Sequence, residues 1–247
     1  MVHIILTGAT GLVGSAVLAQ LLHSTTITRV SILSRRPIVA AEGHQKANVI
    51  IQSDYSSYPQ SVIDQLQGAD GCIWAQGKSS VGMTEKDYTE LTYDWPLAAA
   101  KAFGGMKGPS SERFNFIYVS GEGADQTQKA RAMFGRIKGR AEKDLVDFAN
   151  SADGTTLSVY NLRPAGIDGS DSAAKPDRVT SLPERLAGWM YPAIKMLAPK
   201  WHTPVDSLAK VAIDLAVSDG KPLKVEAGVE PDGRTLGNVA IRKLAGL

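Results

Sequence analysis

The 247-residue sequence contains a single cysteine, Cys72. One thiol cannot form an intramolecular disulfide, so the fold must be held by its core alone, and this usage suits a reducing compartment. Cys72 stands inside an apolar run and reads as a small core residue. Histidine is scarce too: His3, His23, His44 and His202 are scattered, with no second ligand at helical or turn spacing, so no metal site is expected. No block of like charge occurs, and 27 Lys and Arg against 25 Asp and Glu leave a net charge of +2. That balance gives no case for a nucleic-acid partner. Long apolar runs are also missing. The most apolar C-terminal stretch, residues 186–198, is too short to span a bilayer and contains Lys195, so no transmembrane segment is expected. A strand-like run begins at Val2, so no presequence is expected and the default location is cytoplasmic.

What is present is a core of ample size, 43% hydrophobic residues, enough for one α/β domain over residues 1–247. Strand-like and helix-like patterns alternate: strands at 2–6, 30–33, 49–51, 71–75, 114–119 and 157–162; helices at 11–22, 59–66, 85–103 and 128–148. Such a rhythm predicts six or seven parallel strands joined by crossovers and wound on both faces. After Arg163 the pattern degrades, with helices predicted near 182–197 and 205–217, a late strand at 223–226 and a last helix at 238–244. Residues 164–220 read as a small C-terminal substrate lobe on a doubly wound sheet.

The most informative motif is Thr7-Gly8-Ala9-Thr10-Gly11-Leu12-Val13-Gly14, between the first strand and the first helix. Gly8 permits a tight turn, Gly11 permits close approach to a pyrophosphate, and Gly14 permits close helix–sheet packing, which together predict a Rossmann-type NAD(P) site. The diphosphate is expected on the free N–H groups and positive dipole end of the helix. Where NAD-selective folds place an acid at the end of the second strand, this chain reads Ser34-Arg35-Arg36. Two guanidiniums and a hydroxyl suit the 2′-phosphate of NADP, so NADPH is expected over NADH. Asp54-Tyr55 and Ala75-Gln76-Gly77, after the third and fourth strands, are positional candidates for the adenosine side.

Thr7 to Gly14, Arg35, Asp54, Val119-Ser120, the spacing from Phe134 to Lys138, and Leu162-Arg163-Pro164-Ala165-Gly166 together resemble the atypical and extended short-chain dehydrogenase/reductase superfamily. Within it, Ser120-Gly121-Glu122-Gly123-Ala124-Asp125 resembles the group of NmrA-like, nucleoside-diphosphate-sugar-epimerase-like and Tat-interacting-protein-like oxidoreductases. The resemblance implies a Ser after the fifth strand and a Tyr four residues before a Lys on the next helix. Residues i and i+4 share a helix face, so the Lys ammonium lowers the tyrosine pKa and holds the nicotinamide ribose while the Tyr moves a proton. Ser120 and Lys138 occupy two of these positions, and the third holds Phe134, which cannot give or take a proton. The literal Tyr191-to-Lys195 spacing falls in the lobe and reads as chance.

Three readings follow: an NADP-dependent reductase whose proton comes from elsewhere or whose substrate is an enone or quinone; a cofactor-binding sensor without turnover; or a non-redox isomerase or dehydratase. The first is favoured. Candidate replacements for the missing acid are Ser120, Tyr93, Tyr88 and His202. Pro164, Ala165 and Gly166 are expected to bind the cofactor, and Ala165-Gly166-Ile167 to pass over the nicotinamide. Met133, Phe134, Trp189, Met190, Tyr191, Met196 and His202 would make an apolar, aromatic substrate wall. The expected partner is a small apolar or aromatic substrate, and the assembly is a monomer or homodimer.

Overall fold

The computed structural model describes residues 1–106, 108, 112–154, 156–174 and 201–247. Five β-branched or apolar runs supply the centre of the sheet: β1 (Val2–Thr7), β2 (Ile27–Ser34), β4 (Gly71–Trp74), β5 (Phe114–Val119) and β6 (Leu157–Arg163). With β3 (Ala47–Ile51) and β9 (Thr235–Gly237) they form a seven-stranded sheet in the order β3-β2-β1-β4-β5-β6-β9, parallel throughout. Strands buried on both faces read as continuous apolar runs, which is why the sequence announced them.

The sheet divides two cores. One side carries α1 (Leu12–His23), α6 (Val205–Ala216) and α7 (Asn238–Leu244), packed on Ile4, Leu6, Ile32 and Ile117. The other carries α2 (Gln60–Leu66), α4 (Trp95–Phe103) and α5 (Met133–Ala149), packed on Ile5, Cys72, Trp74, Phe116 and Val159. This is the doubly wound Rossmann-type fold expected from the alternating pattern. The strand order reverses between β1 and β4, whose ends pair Thr7 with Trp74, and that crevice is where such sheets bind ligands.

The structure departs from the expected elements in four places. The predicted 85–103 helix is broken into α3 (Glu85–Thr89), a π-helical turn over Glu90–Asp94, and α4. Pro96 has no N–H to give the Thr92 carbonyl, and the Tyr118 hydroxyl donates to that carbonyl instead, at 2.9 Å. The 128–148 helix starts five residues late, at Met133: the Asp125 carboxylate accepts from the N–H groups of Thr127 and Lys129, and Gln128 takes φ 61°, so the chain turns before it coils. Residues 223–226 form no strand; Val225 is exposed, and the seventh place in the sheet goes to β9. A two-stranded parallel sheet of β7 (Gly166–Asp168) and β8 (His202–Pro204) was not foreseen. The predicted 182–197 helix lies outside the described residues. Among the described residues, no helix is long and apolar enough to cross a membrane and no group of His, Cys, Asp and Glu is arranged to hold a metal.

Candidate active site

The candidate cofactor residues at Thr7–Gly14, Ser34–Arg36, Asp54, Ala75–Gly77, Ser120 and Pro164–Gly166 stand at or just beyond the carboxyl ends of β1 to β6, because a parallel sheet sends every strand out on the same edge. At β1 the chain leaves Thr7 through Gly8, whose φ is +71°. A Cβ on Gly8 would stand 2.5 Å from the Ala75 carbonyl oxygen, and one on Gly14 would stand 2.0 Å from the Gly8 carbonyl oxygen. No side chain fits either place. The Gly11 N–H closes the turn on the Gly8 carbonyl at 2.9 Å. Helix α1 then begins with Gly11 as its N-cap, so no side chain caps the first turn, and no acid stands there. The starting N–H groups, which include those of Leu12 and Val13 beside Thr10, form an anion cradle. The Thr7 hydroxyl, fully buried, has no partner among the described residues. This loop fits a dinucleotide diphosphate.

At the end of β2, Arg35 and Arg36 are exposed, and the Ser34 hydroxyl accepts from the Arg36 N–H at 3.3 Å. Beyond β3, the Asp54 carboxylate caps its own loop, accepting from the N–H and hydroxyl of Ser56 at 2.7 and 2.6 Å. These bonds hold its pKa below the ordinary carboxylate value. Tyr55, expected to flank the adenosine, is a core residue: it is 1% exposed, its ring packed against Trp74 and Trp95 at 5.9 and 5.4 Å. Burial pushes its phenol up to about 12. Ala75 and Gln76 press their backbone against Gly8, while Gly77 is exposed just beyond.

At the end of β5, Ser120 is buried, its N–H donating to the Leu162 carbonyl at 2.8 Å. Its hydroxyl has no partner among the described residues. The Lys138 ammonium donates to the Ser120 carbonyl at 2.8 Å and the Val119 carbonyl at 3.4 Å. Burial lowers the Lys138 pKa to about 8, against the upward pull of Glu142 one turn further along α5. Phe134 starts the same helix face, its ring against the Gly123 backbone: a Cβ there would meet the ring at 3.4 Å. Met133 is half-buried beside it.

The turn after β6 is latched from three sides. The Pro164 carbonyl accepts from the Glu122 N–H at 2.9 Å, the Ala165 N–H donates to Asn238 Oδ1 at 3.1 Å, and the His202 imidazole fills the space beside Gly166 where a Cβ would lie. His202 and Gly166 are register partners, so both face the same side of the small sheet. Ile167, expected over the nicotinamide, alternates with Gly166 and packs instead on the core of α1, α6 and α7. His202 is therefore turned away from that core. Asn238 was not named from sequence; a polar residue opening a helix is its only signal, and its Oδ1 also accepts from the Thr203 hydroxyl at 2.8 Å.

Tyr93 is a correction. Its hydroxyl donates to the Asp144 carboxylate at 2.7 Å and the Arg140 guanidinium lies 4.0 Å from its ring centre. Asp144 is six residues beyond Lys138, about 9 Å along the helix and on another face, so Tyr93 is engaged away from Ser120. Tyr88 is buried in the core, where its phenol pKa is raised by that burial. Trp189, Met190, Tyr191, Lys195 and Met196 lie outside the described residues.

A glycine loop that admits no Cβ, an uncapped helix start at the topological switch point, and a Ser–Lys pair at the end of β5 define a doubly wound α/β protein whose switch-point crevice fits a dinucleotide. No protein-family model matches the chain. It is 34% identical, over an alignment of 274 positions, to Leucinostatins biosynthesis cluster protein T of Purpureocillium lilacinum, with 97% of this chain and 94% of that one covered. It is 27% identical over 225 positions to Protein fmp52, mitochondrial, of Aspergillus niger, with 88% of each covered. Among solved structures it resembles the Bordetella bronchiseptica enzyme WbmF in complex with NAD+, with a TM-score of 0.66 at 14% identity, over 99% of this chain and 76% of that one. The chain belongs to the same family as Leucinostatins biosynthesis cluster protein T, and its fold is that of the short-chain dehydrogenase and epimerase structures it resembles.

Proposed function

We propose that this protein is an NADP-dependent oxidoreductase that reduces a small, largely apolar carbonyl, enone or quinone-type substrate, in a pocket closed by a lobe drawn mainly from residues 164–220. The observation that carries the reading is the buried Ser120 hydroxyl, without a partner among the described residues, on the same residue whose carbonyl holds Lys138. An unsatisfied buried hydroxyl costs about 1–3 kcal/mol, a cost removed when a ligand oxygen accepts from it. The Gly8–Gly14 loop and the start of α1 would hold the diphosphate, Ser34, Arg35 and Arg36 the 2′-phosphate, and Lys138 the nicotinamide ribose. The Pro164–Gly166 turn would line the nicotinamide. When bound, the nicotinamide supplies hydride.

The chain's own residues then set the substrate class. Ser120 donates to the substrate oxygen, and the Lys138 ammonium keeps positive charge beside the negative charge that develops there. Phe134 gives no proton, and Tyr93 is engaged with Asp144. The arrangement therefore favours acceptors whose reduced anion is stabilised by conjugation, with the proton taken from water. The relative named for a biosynthesis cluster supports a small-molecule substrate.

The test is titration of the purified protein with NADPH and NADH, followed by NADPH oxidation against quinones, enones and simple aromatic ketones. Tight NADPH binding with oxidation by conjugated acceptors is the expected result. Tight binding with no acceptor consumed would hand the assignment to a cofactor-responsive sensor.

A further inference from the structure

Behind the site lies a charged cluster that no catalytic step requires. Glu142, one turn beyond Lys138 on α5, has a side chain 0% exposed, and Arg163, the last residue of β6, has a side chain 13% exposed. The Arg163 Nε donates to Glu142 Oε1 at 2.9 Å and Oε2 at 3.0 Å, and NH2 donates to Oε2 as well. Arg163 NH1 reaches Glu230 at 3.1 Å. Gln126 Nε2 donates to Glu142 Oε2 at 3.3 Å and to Thr235 Oγ1 at 3.2 Å, and Asn161 Nδ2 donates to the Glu142 backbone carbonyl at 3.4 Å.

Taking two charges out of water costs several kcal/mol each, and apolar residues of similar size are often as stabilising or better. Stability alone is a weak reason to keep such a pair. Its location supplies a better one. Helix α5 carries Lys138, and β6 runs directly from Arg163 into Pro164, so the pair joins the two elements that bear the ribose-side ammonium and the nicotinamide-side turn. A two-pronged guanidinium–carboxylate contact fixes distance and orientation together, which packing of flexible apolar chains does not. We propose that the Glu142–Arg163 pair is the positioning element of this site: it locks helix α5 to the end of β6, so that Lys138 and the Pro164–Gly166 turn meet the same cofactor at once. This rests on the assignment of those residues to the cofactor.

The experiment measures NADPH affinity by fluorescence titration and Tm without cofactor, for the full chain and for Glu142→Leu/Arg163→Met. Removing both charges leaves Gln126 its bond to Thr235 and the half-exposed Glu230 its solvent, while Lys138 keeps its two backbone carbonyls but loses the upward pull of Glu142. Affinity is therefore read from pH 6 to 8, where a loss of Lys138 charge appears as a shifted pH profile and a loss of positioning as a uniform drop. The expected outcome is an unchanged or higher Tm with NADPH bound at least tenfold more weakly. A folded double variant that binds NADPH within threefold of wild type overturns the proposal. Should the double variant not fold, Arg163→Lys decides: it keeps the charge and loses the fork, and is expected to weaken NADPH about fivefold, whereas unaltered affinity sinks the idea. A wild type that does not bind NADPH fails at the earlier step and overturns the dinucleotide assignment itself.

Discussion

At the scale of single residues, chemistry is decided by what one atom can do. Phe134 differs from the tyrosine its position implies by one oxygen, and that oxygen would stand on the Lys138 face of α5. Phe134→Tyr is expected to raise kcat for unconjugated aromatic ketones by about tenfold or more, since a placed general acid contributes 10²–10⁴-fold, and to change enone or quinone turnover little. An equal effect on both substrate classes would refute the division of labour argued above. In the proposed site, the choice of NADPH over NADH rests likewise on two side chains. Arg35→Ser/Arg36→Ser is expected to weaken NADPH by roughly 10–100-fold, about 1.5–3 kcal/mol for lost charged hydrogen bonds, and to leave NADH unchanged. Parallel titrations with the two cofactors read the difference directly; an equal loss for both would mean the arginines do not see the 2′-phosphate.

At the scale of elements, the sequence was legible wherever a local cause sufficed and opaque wherever the cause was distant. The glycine loop could be read because Gly8 and Gly14 are forced by contacts within one βα unit or its immediate neighbour strand. The π-helical turn could not, because it needs both Pro96 in the helix and Tyr118 from β5 to take the released Thr92 carbonyl. Tyr55 and Tyr93 were misread for the same reason: a tyrosine after a strand or on a helix looks exposed until Trp74 and Trp95 cover one and Asp144 captures the other. Glu142 carried a signal, a charge at i+4 from Lys138, but its partner Arg163 is supplied by β6. The Pro96–Tyr118 relation gives a test at this scale. Tyr118→Phe strands the buried Thr92 carbonyl and is expected to cost about 1–3 kcal/mol. In a Pro96→Ala background the restored N–H can serve that carbonyl, so the same change is expected to cost about 1 kcal/mol less. Urea unfolding of the four proteins forms a double-mutant cycle, and strict additivity would separate the π-turn from the proline.

At the scale of the whole molecule, the two ends of the sheet respond to pH in opposite ranges. The carboxyl end holds Lys138, whose charge is lost as pH rises through about 8, so NADPH affinity is expected to decline above that value. The amino end holds His3, 5% exposed, with Nε2 2.8 Å from the Ser31 hydroxyl and its own N–H donating to Asp70 at 2.8 Å. Burial, with Arg29 nearby, lowers the His3 pKa from 6.5 to about 4, against the upward pull of Asp70. Between those values the unfolded chain binds a proton that the native protein refuses. His3 therefore contributes its full share of stability above about pH 6.5, and that share falls away as the pH drops toward 4. At 1.36 kcal/mol per pKa unit the loss is bounded at roughly 3 kcal/mol. His3→Gln keeps a side chain able to bond Ser31 and removes the titration, so urea unfolding from pH 7.5 to 4.5 is expected to show a distinctly smaller stability loss in the variant than in wild type. Parallel pH curves for the two proteins would place the acid sensitivity elsewhere. Because His3 sits at the sheet end remote from the glycine loop and stays neutral in the native protein until the pH nears 4, it is expected to change stability and not NADPH affinity between pH 7 and 5.5. Wild type and His3→Gln are expected to show the same ratio of NADPH affinities at those two pH values, and a differing ratio would tie His3 to the site.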